Sequence, residues 1–240
     1  MSIDFSVVWK YLPTLLHATL MTIALTLISQ AIGTAIGFLF ALGRVSSNRV
    51  VSAAVWTYVW VFRGTPMLLH LFFVYYAAPL FGVTLDAFPA AIIAMSISST
   101  AYNTEIFRAG IQSIHRGQIE AAQAVGIRYP AIVRRIILPQ ALRVVAGPYM
   151  SNFISHTKGS SLASAITVPE LMFAAQTIYS TTYRAVEILS LAGLIYLALT
   201  SCLTGLQMAL ERYLAFDQRG LSKRRRRQLL LDAPAAAAKT

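Results

Sequence analysis

The sequence predicts an all-α membrane protein with five transmembrane helices, the N-terminus outside and the C-terminus in the cytoplasm. Three observations carry this. Of 240 residues, 57% are hydrophobic and only 12% charged, about half the charge content of a soluble domain. Long uncharged stretches recur along the chain. The 20 Lys and Arg, set against 9 Asp and Glu for a net charge of +11, fall almost wholly on one side once those stretches are laid across a bilayer. A disordered chain would show the opposite balance of charge and hydrophobicity. The lone Cys202 leaves no internal disulfide framework, and His17, His70, His115 and His156 are too scattered for a zinc spacing.

The first stretch, Leu15 to Leu42, has no charged residue between Lys10 and Arg44. It exceeds the roughly 7–15 residues of a signal-peptide core, and no cleavage pattern follows. It is long enough to span the hydrocarbon as a retained helix. Gly33 and Gly37 stand four apart within it; that spacing permits close approach of another helix, or marks two tolerated glycines. The second stretch, Val50 to Phe81, is interrupted at Phe62-Arg63-Gly64-Thr65-Pro66, because proline lacks a donor and pushes its predecessor out of helix. Val50–Val61, with Trp56, Tyr58 and Trp60, then reads as interfacial, and Met67–Leu80 completes the crossing. The third span runs from Phe88 to Ile106, the fourth from Val144 to Ile166 and the fifth from Ile188 to Met208.

With the N-terminus outside, the cytoplasm receives Arg44, Arg49 and Arg63, the arginines of 108–143, and the basic tail with Lys223–Arg227. The outer side receives Lys10 and Arg184, with the acids Asp4, Asp86, Glu170 and Glu187. Lys158 lies within the fourth span. The tail directly follows a helix and has no interleaved aromatics, so it reads as a cytoplasmic segment drawn to anionic lipid and not as a nucleic-acid binder. Ala235–Ala238 is low complexity and reads as disordered. The resulting organisation is an extracytoplasmic segment 1–14, a transmembrane domain 15–211 and a basic tail 212–240.

The polar stretch 108–143 between the third and fourth spans is no Gly/Ser linker. Ile119 to Val125 predicts a short helix stopped by Gly126. Tyr129-Pro130 starts a second, striped by Ile132, Val133, Ile136 and Ile137, and Leu138-Pro139 predicts its end. Such a protruding pair offers a handle for a soluble partner. Small Ala121 and Ala122 let a partner surface approach closely, and Gly126 reverses the chain without a side-chain clash. Glu120 either sits in the helix dipole near the start of its helix or pairs with an arginine of the loop or of the partner.

Glu120-Ala121-Ala122, Gly126, Ile136 and Leu138-Pro139 together resemble the EAA loop of ABC importer permeases. Phe62–Pro66, Ala101-Tyr102 with Glu105, Gly110–Ile114 and Val168-Pro169-Glu170-Leu171 resemble the polar amino-acid branch, histidine/glutamine-type permeases included. The resemblance covers Leu15 to Arg212. It implies the type I ABC importer permease fold, residence in the bacterial cell inner membrane, and pairing with a second copy or a paralogue. It also implies a cytoplasmic ATPase dimer docked on the EAA loop, with ATP and Mg bound by that dimer and no cofactor on this chain. An extracytoplasmic amino-acid-binding protein would deliver the ligand. Consistent with this, no P-loop Lys-Ser or Lys-Thr motif occurs, so the chain is not expected to be an enzyme.

Polar groups at membrane depth cost roughly 2.5–3.5 kcal/mol when charged and mark the candidate substrate pathway: Tyr102, Asn103, Glu105, His156, Lys158, Ser160 and Ser161. Glu105 is also three residues from Arg108, the spacing of an intrahelical ion pair, and that reading is preferred for it. Lys158 either holds a ligand carboxylate, snorkels or pairs across a dimer. Many members of the family carry Lys-Asp-Thr-Ser-Leu where this chain has Lys158-Gly159-Ser160-Ser161-Leu162, a departure that points away from a basic amino acid and towards a neutral, acidic or modified one. Two other classes compete. A secondary transporter driven by ions or protons would show internal repeats, and none is evident. A membrane-embedded enzyme would need paired catalytic groups, and neither a His-Glu-x-x-His run nor a Ser/His constellation occurs.

Overall fold

The computed structural model describes the backbone of residues 6–237 and the side chains of 7–214. The first helix, α1, runs over Ser6–Val45, starting well before the apolar stretch. Asn48 caps α2 (Arg49–Gly64), its side-chain oxygen accepting from the amides of Val50 and Val51 at 3.0 and 3.3 Å. Thr65, before the proline, is extended. There the chain bends by 104° into α3 (Met67–Phe72), prolonged by a π turn over Phe73–Ala77 and a 3-10 turn over Ala78–Phe81. The interruption expected at Phe62–Pro66 is this bend.

Helix α4 (Ala87–Gln112) packs along α1. Gly33 and Gly37 form the seat: a methyl added at either would lie 2.5 Å from Ser99 Cβ or 2.9 Å from Asn103 Cβ. The glycine pair therefore serves close approach. Among the described residues α1 and α9 are long and apolar enough to cross a membrane, and the bent α2–α3 pair qualifies as a third span.

The polar loop holds α5 (Arg116–Ala124) and α6 (Tyr129–Ile132). The stop at Gly126 has a defined form. Its φ is +77°, its amide bonds to the carbonyl of Gln123 at 2.9 Å, and the amide of Ile127 reaches Ala122 at 3.0 Å. These two bonds satisfy the last carbonyls of α5. The break expected at Leu138-Pro139 does not occur. A π turn over Val133–Ile137 leads without interruption into α7 (Leu138–Gly159). The wider turn sits just where a proline ring would press on the carbonyl four residues back.

The fourth span also ends differently from the expectation. After α7 the chain tightens into a 3-10 segment, Ser160–Ile166, and turns at Thr167 with φ +64°. A further helix, α8 (Leu171–Thr182), follows; hydropathy did not reveal it. Helix α9 (Ala185–Ala237) closes the chain. The backbone of the tail is helical to Ala237, while the side chains of Lys223–Arg227 and the end of the Ala235–Ala238 run lie outside the described residues.

Two apolar cores hold these helices. Leu25, Leu71, Ala90, Ala94, Met95 and Ile166 join α1, α3, α4 and the 3-10 segment. Leu15, Leu171, Ala175, Ile178, Ile188 and Ile195 join α1, α8 and α9. Glu170, expected to face water on the outer side, is fully buried at the start of α8. Its carboxylate accepts from the amide of Phe173 at 2.8 Å, from the Tyr196 hydroxyl at 2.8 Å and from Thr22 at 3.4 Å. One side chain thus caps α8 and ties it to α1 and α9. Glu170→Ala removes the acceptor from three donors and is expected to destabilise the fold by about 1–3 kcal/mol. Thermal unfolding of the purified protein checks this, with Glu170→Gln expected to lose less.

Candidate functional site

The bend at Thr65-Pro66 leaves a hollow between α2–α3, α4 and α7, a cavity of about 660 Å³. Arg63, Thr65 and Met67 line it from the bend, Ser98, Ser99 and Tyr102 from α4, and Asn152, Ser155, His156 and Gly159 from α7. A second cavity of about 420 Å³ adjoins it, walled by Arg44, Trp56, Trp60 and Glu105. Arg63, Gly64 and Tyr102 line both and so stand at their junction.

Behind the first cavity lies a buried polar seam. Ser29 on α1 bonds His156 Nε2 at 2.8 Å. Ser99 donates to Gln30 at 2.7 Å and receives from Asn103 at 3.1 Å. Asn103 also donates to Thr34 at 3.4 Å and accepts from Asn152 at 3.1 Å, while Thr34 meets the Tyr149 hydroxyl at 2.8 Å. This network crosslinks α1, α4 and α7 where apolar packing alone would give no lateral register.

The structure sorts the candidate pathway residues. Tyr102 and His156 face the first cavity and Glu105 faces the second. Glu105 makes the expected ion pair with Arg108. Asn103 is fully buried in the seam and lines neither cavity. Ser160 is buried with its hydroxyl on the Thr157 carbonyl, and Ser161 bonds the carbonyl of Lys158. Lys158 is exposed and lines neither cavity.

Arg63 and Asn152 were missed as lining residues. Arg63 lies over the ring of Tyr102, 5.2 Å from its centroid. Tyr102 is ten residues from the Gln112 end of α4, about 15 Å along the helix. The signal was the arginine itself, sitting at a helix break inside an apolar stretch.

The polar loop forms a separate surface. Glu120, Ala121 and Gly126 are exposed, Ala122 is buried, and Val125 is 74% exposed. Because α5 begins at Arg116, Glu120 sits beyond its first turn, so the helix-dipole reading fails there. Among the described residues its carboxylate has no ion-pair partner. Ile136 and Pro139 are half-buried and Leu138 is 45% exposed, all on the run from α6 into α7.

Residues 33–215 match the family described as binding-protein-dependent transport system inner membrane component. The chain belongs to this permease family. The permease is 37% identical over 215 residues to the arginine transport system permease protein ArtQ of Bacillus subtilis, covering 89% of this chain and 98% of that one. It is 38% identical over 221 residues to the nopaline transport system permease protein NocM of Agrobacterium fabrum, covering 88% and 92%. Among solved structures, a crystal structure of an amino acid ABC transporter with histidines superposes with a TM-score of 0.83 at 35% identity, covering 89% of the permease and 100% of that chain.

Proposed function

We propose that this permease carries amino acids or close derivatives across the bacterial inner membrane as the transmembrane subunit of an ATP-driven, binding-protein-dependent importer. The observation that carries the reading is the polar cavity of about 660 Å³ opening at the bend. An apolar bundle with no cargo has no reason to keep Ser98, Asn152, Ser155 and His156 around an open hollow at that depth. The relatives named for amino-acid and opine transport support the substrate class.

In this reading α4 and α7, whose polar inner faces lower their hydropathy, are the two further crossings that make five. The N-terminus is outside, the C-terminus and the 108–143 loop are cytoplasmic, and the chain pairs with a second copy or a paralogue across the pathway. The exposed Glu120, Ala121, Val125 and Gly126 dock on a cytoplasmic ATPase dimer, which binds the ATP and Mg. A binding protein meets the outer face. This chain supplies no hydrolytic group of its own.

A thiol placed on the cavity wall tests the reading. In a Cys202→Ser background, which removes the exposed native thiol, Ser155→Cys is expected to support ATP-driven amino-acid uptake. A bulky maleimide at that position is then expected to reduce uptake at least tenfold. Unimpaired uptake after complete labelling would remove the cavity from the pathway.

A further inference from the structure

The hydrogen bonds of the buried seam fix which end of two α7 side chains faces the first cavity. Ser29 Oγ lies 2.7 Å from the carbonyl oxygen of Leu25. Two oxygens that close repel unless a proton lies between them, and a hydroxyl has one proton to give. Ser29 therefore donates to Leu25, and its 2.8 Å bond to His156 is donated by the ring, from Nε2–H. No Asp or Glu lines the cavity, so the buried ring is neutral and its Nδ1 is a bare acceptor. That atom has no hydrogen-bond partner among the described residues. Nor is it one of the sealed, unpartnered polar atoms, which are Gln30 Nε2, Arg44 Nε, His70 Nδ1 and Ser96 Oγ. His156 lines the cavity and Ser29 does not, so Nδ1 is the end turned to the hollow.

The same reasoning orients Asn152. Asn103 Nδ2 points at the hydroxyls of Ser99 and Thr34, 3.1 and 3.4 Å away. Both hydroxyl protons are already given, by Ser99 to Gln30 Oε1 at 2.7 Å and by Thr34 to the Gln30 carbonyl at 2.6 Å. Asn103 thus turns its oxygen to Asn152, which answers with its amide nitrogen at 3.1 Å. The Asn152 oxygen is left over and accepts no bond among the described residues. Asn152 stands four residues before His156 on α7, which puts the two on one face about 6 Å apart.

The seam takes the donor end of both side chains and leaves the cavity their acceptor ends. Two acceptor-only atoms a turn apart suit a group with several N–H bonds. No carboxylate lines the cavity to meet such a group. Arg63 is donor-only, and the Glu105 carboxylate of the adjoining cavity offsets part of its charge. We infer that Asn152 Oδ1 and His156 Nδ1 together bind the protonated amino nitrogen of the transported ligand. Ser29 and Asn103 are positioning residues that fix the orientation of the pair. The inference rests on the cavity being the pathway.

For the test, the complete importer in proteoliposomes is first offered the twenty L-amino acids, L-cystine, octopine and nopaline, each radiolabelled. The compound imported best and its isostere with carbon in place of the amino nitrogen are then the probes. Equilibrium binding of both is measured on the permease co-purified with its ATPase in nanodiscs, without the binding protein, whose own selectivity then does not enter. The amino compound is expected to bind about thirtyfold more tightly than the isostere. His156→Gln keeps a donor for Ser29 where Nε2 lies but offers no acceptor at Nδ1, and is expected to cut that ratio about tenfold. His156→Asn does the converse, placing its oxygen where Nδ1 lies and giving up Ser29. It is expected to keep most of the ratio while unfolding at a lower temperature. A packing role alone would weaken both probes alike. Ser29→Ala lets the ring carry its proton on either nitrogen and is expected to lower the ratio about threefold; it decides the matter if His156→Gln does not fold. Equal binding of the two probes, no measurable binding of either, a ratio that His156→Gln leaves unchanged, or one lost as fully in His156→Asn overturns the inference and leaves the importer standing. Import of none of the compounds by the complete importer overturns both readings.

Discussion

Gly126→Asp is expected to abolish ATP-driven uptake while leaving the protein folded and inserted. The substitution meets no steric obstacle, since nothing lies within 4 Å of an added Cβ. The backbone cost is small: φ is +77°, and aspartate is among the residues that visit this region, at roughly 1–2 kcal/mol. What changes is the surface. A carboxylate appears next to Val125, 74% exposed, and two residues from Ala124, on the face proposed to dock the ATPase. Burying that charge without a partner in an interface costs several kcal/mol, enough to lower association by more than a hundredfold. Co-purification of the ATPase and uptake in vesicles are the measurements, and Gly126→Asn serves as the control with the same backbone preference and no charge. Normal uptake by the aspartate variant would sink the docking role of this loop.

Gly33→Leu is expected to do the reverse, destroying the fold before function can be measured. Its Cβ alone would lie 2.5 Å from both the Cβ and the hydroxyl of Ser99 and 3.0 Å from the amide of Thr100. Helix backbone cannot yield there without parting α1 from α4. That separation would break the Ser99–Gln30 bond at 2.7 Å and the Asn103–Thr34 bond at 3.4 Å. Overpacking of this kind costs about 3 kcal/mol or more, added to the orphaned polar groups. The expected result is loss of monodisperse protein on size exclusion. Gly64→Leu, with nothing within 4 Å of its added Cβ, is expected to leave the elution profile unchanged.

Much of this architecture was legible because the physics that places it is local. The interruption at Thr65-Pro66 and the stop at Gly126 each depend on one residue's backbone, and both were found where proline and glycine put them. The Glu105–Arg108 pair needed only helical spacing. What stayed hidden depends on distant partners. Helix α8 carries Thr and Ser on one face and begins from a glutamate whose capping role is fixed by Thr22 and Tyr196, far away in the chain. The helix that runs through Pro139 does so by widening its preceding turn, an option that a proline rule does not register. Charge counting reads Arg63 only from its neighbours in sequence and does not register the ring of Tyr102 that the bend brings beneath it. Asn103 and His156 looked alike as polar groups at depth, and only the packing of α1 assigns one to the seam and the other to both seam and cavity.

The continuity from Tyr129 to Gly159 has a mechanical corollary. These 31 residues form one continuous helical run, about 46 Å along its contour. One end emerges from the loop proposed to meet the ATPase, and the other half carries Asn152, Ser155 and His156. A tilt of only about 10° at the base swings the tip by about 8 Å. A helix of this length moving as a unit would turn a modest stroke at one end into a wide excursion at the other.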